Sequence, residues 1–168
     1  MTIYGIGGVS GTGKTHFRTN CAHLRETRTA DIADVYEESR TAGHPNLHWR
    51  TALERFVAIV RGALEEDRSS DIVLEAFFRP GGVQRQAIER LAREFGVDLR
   101  WGWAWARRSE CLRRVSDHSS AQDSSERIEK RLSFINSAEP EFFREIEGES
   151  LQQLAAFAEG GSVAVLVL

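Results

Sequence analysis

The sequence predicts an α/β fold built on a mainly parallel five-stranded sheet, and three observations carry that expectation. Strand-like and helix-like hydrophobic periods alternate along the 168 residues, the pattern of strands joined by crossover helices. A glycine-rich segment falls between the first strand and the first helix. The run Ile72 to Phe78 is apolar except at Glu75, as expected of a strand covered on both faces. The length fits one domain, taken here as residues 1–168.

Residues 2–7 (TIYGIG) read as the first strand. Residues 14–26 read as a helix with Phe17, Cys21 and Leu24 on one face. Ala30 to Tyr36 has the short apolar alternation of a second strand. Gly43-His44-Pro45 is a break, and Leu47 to Glu66 is strongly helical, with Leu53, Phe56, Val57, Val60 and Leu64 recurring at three and four. The third strand, Ile72 to Phe78, stops at Pro80-Gly81-Gly82. Gln84 to Phe95 forms a helix with Gly96 as its C-cap. Val97 to Ala106 is a fourth strand, with Trp101, Trp103 and Trp105 on one face. That ladder reads as core packing rather than a platform for stacked bases. Helices over Arg108 to Val115 and Glu126 to Ile135 flank a polar loop at 116–125. A further helical segment runs from Glu149 to Ala158, and Val163 to Leu168 is the last strand.

The net charge of −3 and 41% hydrophobic content argue against a protein that coats nucleic acid through bulk positive charge. No run approaches the ~20 apolar residues of a membrane helix, and the N-terminus lacks the charged lead-in of a secretory leader. Cys21 and Cys111 offer neither a disulfide framework nor metal-ligand spacing. The expectation is a cytoplasmic protein with free thiols and no membrane partner. Arginine fills nearly all of the 22 basic positions; the lysines are Lys14 and Lys130, and Lys14 lies in the glycine-rich segment.

That segment, Gly8-Val9-Ser10-Gly11-Thr12-Gly13-Lys14-Thr15, matches G-x-x-x-x-G-K-[ST] at every required position. Small residues let backbone N–H groups curl around a triphosphate, and the following helix starts at the anion, where its dipole adds attraction. Gly8, Ser10, Gly11, Thr12, Gly13, Lys14 and Thr15 are the candidate phosphate-binding residues. Lys14 can reach the β- and γ-phosphates, and the Thr15 hydroxyl can sit on Mg²⁺. The motif predicts nucleotide phosphate binding; what receives the phosphate is a separate question.

Four further segments bear on that question: ADVYEESR at the second strand, IVLEAFFRPGGVQRQAIERLAREFGVDLRW, SECLRRV and ERIEKRLSF. With GVSGTGKT, in this order and spacing, the chain resembles the small P-loop kinases of the nucleoside/nucleotide kinase superfamily. It is most similar to the branch holding polynucleotide 5′-hydroxyl kinases and gluconate-kinase-like enzymes. The resemblance implies a three-layer α/β/α P-loop fold with a helical lid-like region at about 107–131, and a cofactor set of ATP and Mg²⁺. It places an acceptor-activating acid at Asp34, with Asp31 as the other candidate, and a phosphate-stabilising arginine at Arg114. It also implies a metal-side role or an acceptor contact for Glu75, and substrate contacts at Arg79, Arg40 and Arg127. Chemistry agrees with these roles, since an ionised carboxylate can take the hydroxyl proton and a carboxylate buried in an apolar strand needs a cation or donors around it. Where the family often carries an arginine after the acid, this chain has Glu37, with Arg40 one turn on.

The function expected is ATP-dependent phosphotransfer to a small acceptor, a nucleoside, nucleotide or polyol. A nucleic-acid 5′ end is the alternative acceptor, and a nucleotide-binding switch without an acceptor is the alternative of another class.

Overall fold

Each strand is followed by helix before the chain re-enters the sheet, so the strands run parallel throughout. The computed structural model describes residues 1–22, 24–43, 48–79, 81–117, 125–143 and 164–167. In chain order these form β1 (Thr2–Gly7), α1 (Lys14–Asn20), β2 (Arg28–Asp31), α2 (Ile32–Thr41), α3 (Trp49–Glu66), β3 (Ile72–Glu75), α4 (Val83–Phe95), β4 (Asp98–Trp105), α5 (Arg108–Asp117), α6 (Ser125–Ser137), a 3₁₀ turn at Pro140–Phe142 and β5 (Ala164–Val167). The sheet order is β2-β3-β1-β4-β5, all pairs parallel. One core joins Ile3, Ile72, Leu74 and Trp101 to Phe56, Val60 and Leu64 of α3 and Ile88 and Leu91 of α4. The opposite face of the sheet, through Tyr4, Ile6, Val73 and Ala104, covers Phe17 and Leu24. A third cluster gathers Cys111, Val115 and Ile135 of α5 and α6 with Trp103 and with Val9 of the glycine-rich segment. These are the layers of an α/β/α P-loop fold. No helix among the described residues is long and apolar enough to cross a membrane.

Three element boundaries differ from the sequence reading. Ala30 to Tyr36 is not a strand: β2 ends at Asp31 and α2 starts at once. The Asp31 carboxylate accepts the N–H of Ala33 at 2.8 Å, the bond an N-cap side chain makes to a helix's first free donors. The first helix ends at Asn20 rather than 26. Leu24 still reaches the core, but through turns in which Leu24 and Arg25 both donate to the Cys21 carbonyl. The third strand stops at Glu75. Past it the two phenylalanines separate, Phe78 onto Phe56 and Trp101 and Phe77 onto Trp103 and Phe142. The expected helix at Glu149 to Ala158 lies outside the described residues, as does most of the loop at 116–125.

The tryptophan ladder is core, with Trp101 and Trp103 almost fully buried. Register sets Trp101 beside Gly5 and Trp103 beside Gly7, and both rings lie over the glycine backbones. A Cβ at Gly5 would fall 2.0 Å from a Trp101 ring carbon, closer than any rotamer adjustment in a packed core absorbs. Gly5→Ala is therefore expected to destabilise by about 1–3 kcal/mol or more. At about 2–4 °C per kcal/mol for a chain of this size, a thermal melt will show the loss. Adding Trp101→Leu should restore part of it, and an unchanged midpoint in Gly5→Ala would disprove this packing account.

Candidate functional site

The chain leaves β1 for the β2/β3 side and later crosses to β4 and β5. The carboxyl end of β1 is thus the point where strand order reverses, the place where open α/β sheets bind ligands. The glycine-rich loop begins there, and its backbone explains its composition. Gly11 and Gly13 have φ of 82° and 94°, values open to glycine and strained for other residues. Gly11 is also pressed against α5, where a Cβ would come within 2.6 Å of the Cys111 carbonyl oxygen. Thr12 is fully buried, and its Oγ1 donates to the Val9 carbonyl at 2.8 Å, which ties the loop across its base. Lys14 opens α1 and arches back, Nζ donating to the carbonyls of Gly8 at 3.0 Å and Val9 at 3.2 Å.

Glu75 reaches the same place from β3. It is 2% exposed, and each oxygen has a donor: Thr15 Oγ1 at 2.8 Å on Oε2 and Arg18 Nε at 2.5 Å on Oε1. Asp31, at the end of the neighbouring strand, is the register partner of Glu75. Burial above all, and then the nearby Glu75 charge, hold the Asp31 carboxyl above the usual aspartate range, against the Ala33 N–H and Lys14, which pull it down. Burial likewise lowers Lys14, opposed by Asp31 and Glu75, while Arg131 of α6 pushes it further down.

From α5, Arg114 spans to the loop. Its NH1 group donates to the Gly11 carbonyl at 3.2 Å, and its Nε is held by Glu110 at 2.7 Å. Arg113 and Arg114 together keep the Glu110 carboxyl down at about 2. Two other arginines of α5 are committed to structure. Arg113 also pairs with Asp117. Arg108 donates to the carbonyls of Ile135, Asn136 and Ala138 at the end of α6 and stacks on Phe143.

Of the residues singled out from sequence, Lys14, Thr15, Glu75 and Arg114 meet at the loop. Asp34 stands further out, near enough for its charge to raise Asp31. It is exposed in the first turn of α2 and lines an open recess of about 550 Å³ with Glu37, Glu38 and Ala42. The acid at the end of the strand is Asp31. Arg79 is exposed just beyond β3, its carbonyl accepting the Gly82 N–H. The side chains of Arg40 and Arg127 lie outside the described ones. Two residues that the sequence reading did not single out bear on the loop: Arg18 bonds Glu75, and the charge of Arg131 acts on Lys14; of the two candidate acids, Asp31 is the one in register with Glu75. For Arg18 the signal was present, because it sits three residues after Thr15 and so on the same helix face.

The donor set fits a nucleotide and its magnesium. Thr15 and Glu75 offer hard oxygens, and Mg²⁺ binds through one or two such protein oxygens plus phosphates and water. Small-residue backbone, a lysine ammonium and a helix start face the same space.

No protein-family model and no curated protein matches the chain. Solved structures do. A protein from Chloroflexus aurantiacus, named only provisionally as a kinase, is 15% identical over 99% of this chain and 87% of its own, with a TM-score of 0.62. A sugar kinase from a Janibacter species is 14% identical over 99% and 84%, TM-score 0.53. A chain of the Pnkp1/Rnl/Hen1 RNA repair complex is 12% identical over 80% of this chain and 44% of its own, TM-score 0.53. At these identities the likeness establishes the fold.

Proposed function

We propose that the protein is an ATP-dependent, Mg²⁺-requiring phosphotransferase acting on a hydroxyl or phosphate of a small acceptor, a nucleoside, nucleotide or polyol. The observation that carries the reading is the meeting of Lys14, Thr15, Glu75, Asp31 and Arg114 at one glycine-cradled loop. Kinases among the similar folds support it. A nucleotide switch would need only the loop, Thr15 and a carboxylate. A second carboxyl poised above the usual range, facing the first, is what proton abstraction from an acceptor asks for.

In this reading the loop N–H groups and Lys14 hold the transferring phosphate, Lys14 leaving the Gly8 and Val9 carbonyls to do so. Thr15 and Glu75 hold the Mg²⁺, which neutralises charge on the phosphates when bound. Asp31 orients the acceptor hydroxyl and takes its proton as the new P–O bond forms and the bond between the γ-phosphorus and the β–γ bridging oxygen breaks, ADP leaving with that oxygen. Arg114 brings a guanidinium to the loop from the lid side, where negative charge spreads over the phosphoryl oxygens. The polynucleotide 5′-end alternative keeps these roles and differs only in the acceptor.

The test is transfer of labelled γ-phosphate from ATP to a panel of nucleosides, nucleotides, sugars, polyols and 5′-hydroxyl oligonucleotides. Label on a small acceptor supports the reading, and label confined to oligonucleotides selects the alternative. ATP hydrolysis with no labelled acceptor sinks the phosphotransferase reading in favour of the switch.

A further inference from the structure

Glu75 is the most deeply buried carboxylate among the described residues, and a buried charge persists only where cations and donors compensate it. Its compensation is divided between its two oxygens. Arg18 Nε takes Oε1 at 2.5 Å and Thr15 Oγ1 donates to Oε2 at 2.8 Å. Thr15 and Arg18 are separated by three residues on α1, so both face the end of β3 from one helix side. The Arg18 side chain is itself largely covered, 19% exposed, which restricts where its guanidinium can go. With Oε1 anchored, the carboxylate plane cannot turn, and Oε2 stays aimed at the threonine hydroxyl.

We propose that Arg18 is a positioning residue for the divalent cation of the bound nucleotide: by pinning Glu75 it fixes the oxygen pair, Thr15 Oγ1 and Glu75 Oε2, that the ion meets. This rests on the nucleotide-binding reading above and adds a residue to it. Groups that orient a ligating side chain typically change metal affinity by about 10–100-fold when removed.

The experiment measures binding of a fluorescent ATP analogue to the full chain at rising Mg²⁺ and, separately, in EDTA, for the wild type, Arg18→Met and Arg18→Lys. Arg18→Met keeps length and removes the cation, and it is expected to raise the Mg²⁺ concentration at half-saturation about tenfold. Binding in EDTA should change less than twofold. Arg18→Lys, a point charge without the Nε geometry, should fall between. A Mg²⁺ midpoint equal to wild type in Arg18→Met, with only a lower melting temperature, would show that Arg18 is merely structural and overturn the proposal. If Arg18→Met does not fold, a wild-type midpoint in Arg18→Lys overturns it, and a raised midpoint supports it. A wild type that binds no nucleotide overturns the functional reading and this proposal with it, whereas wild-type binding with unshifted variants overturns this proposal alone.

Discussion

If the protein is the phosphotransferase proposed, Lys14→Met is expected to lower turnover on the order of 10²–10³-fold or more and to leave the protein at least as stable as the wild type. Both halves follow from the same geometry. The ammonium donates to two loop carbonyls, yet burial still lowers its proton affinity despite Asp31 and Glu75 nearby. A lysine whose folded value lies below its unfolded one penalises the folded state. That penalty is fully present below the lowered value and disappears as pH rises past the ordinary lysine range. At neutral pH the substitution relieves it, so the melting temperature should stay level or rise, the usual relation between a strained functional group and stability. Calorimetric or dye-based melting beside the labelled transfer assay checks both. A variant that keeps activity, or one that loses activity only because its melting temperature collapses, contradicts the role given to Lys14.

The glycine-rich loop was legible because its pattern is local: the segment Gly8 to Thr15, with a strand before it and a helix after it, is recognisable without reference to the rest of the chain. The long helix α3, the cap at Gly96 and the buried tryptophans were legible for a related reason, as period and side-chain size report burial directly. The second strand was not. In ADIADVY the apolar residues alternate well enough to imitate a strand, and what decides the matter is one side chain, Asp31, bonding the Ala33 amide. Hydrophobic period does not register that competition between side chain and backbone. The boundary also decides how the two candidate acids sit: Asp31 ends the strand, while Asp34, the position that the resemblance put first, is exposed beside Glu37 and Glu38. Leu24 taught the converse. It is buried where the helical spacing put it, although turns rather than helix bring it there. Arg131 could not be read at all, since its nearness to Lys14 depends on how α6 packs across the loop.

Asp31→Asn and Asp34→Asn form the pair that decides which acid serves the acceptor. Asparagine keeps an oxygen that can cap Ala33 and is among the best N-cap residues, so Asp31→Asn should preserve the start of α2. It also removes a carboxyl whose raised folded value makes its ionised form a burden. That burden grows as pH climbs through the ordinary aspartate range and is complete above the raised value, so at neutral pH the variant should melt no lower than the wild type. Transfer should nonetheless fall by about 10²–10⁴-fold, the contribution of a positioned general base, while nucleotide binding persists. The pH profile gives a second readout. Because Asp31 must be ionised to take the proton, kcat/KM of the wild type should decline on the acid side at a pH above the usual carboxylate range, about 4. That limb should be missing from whatever activity remains in Asp31→Asn. Asp34→Asn, a change on an exposed helix turn, should alter turnover by only about twofold, within the ±0.5 kcal/mol typical of surface substitutions. Should the two variants exchange behaviours, the proton goes to Asp34, and the recess it shares with Glu37 and Glu38 becomes the acceptor site.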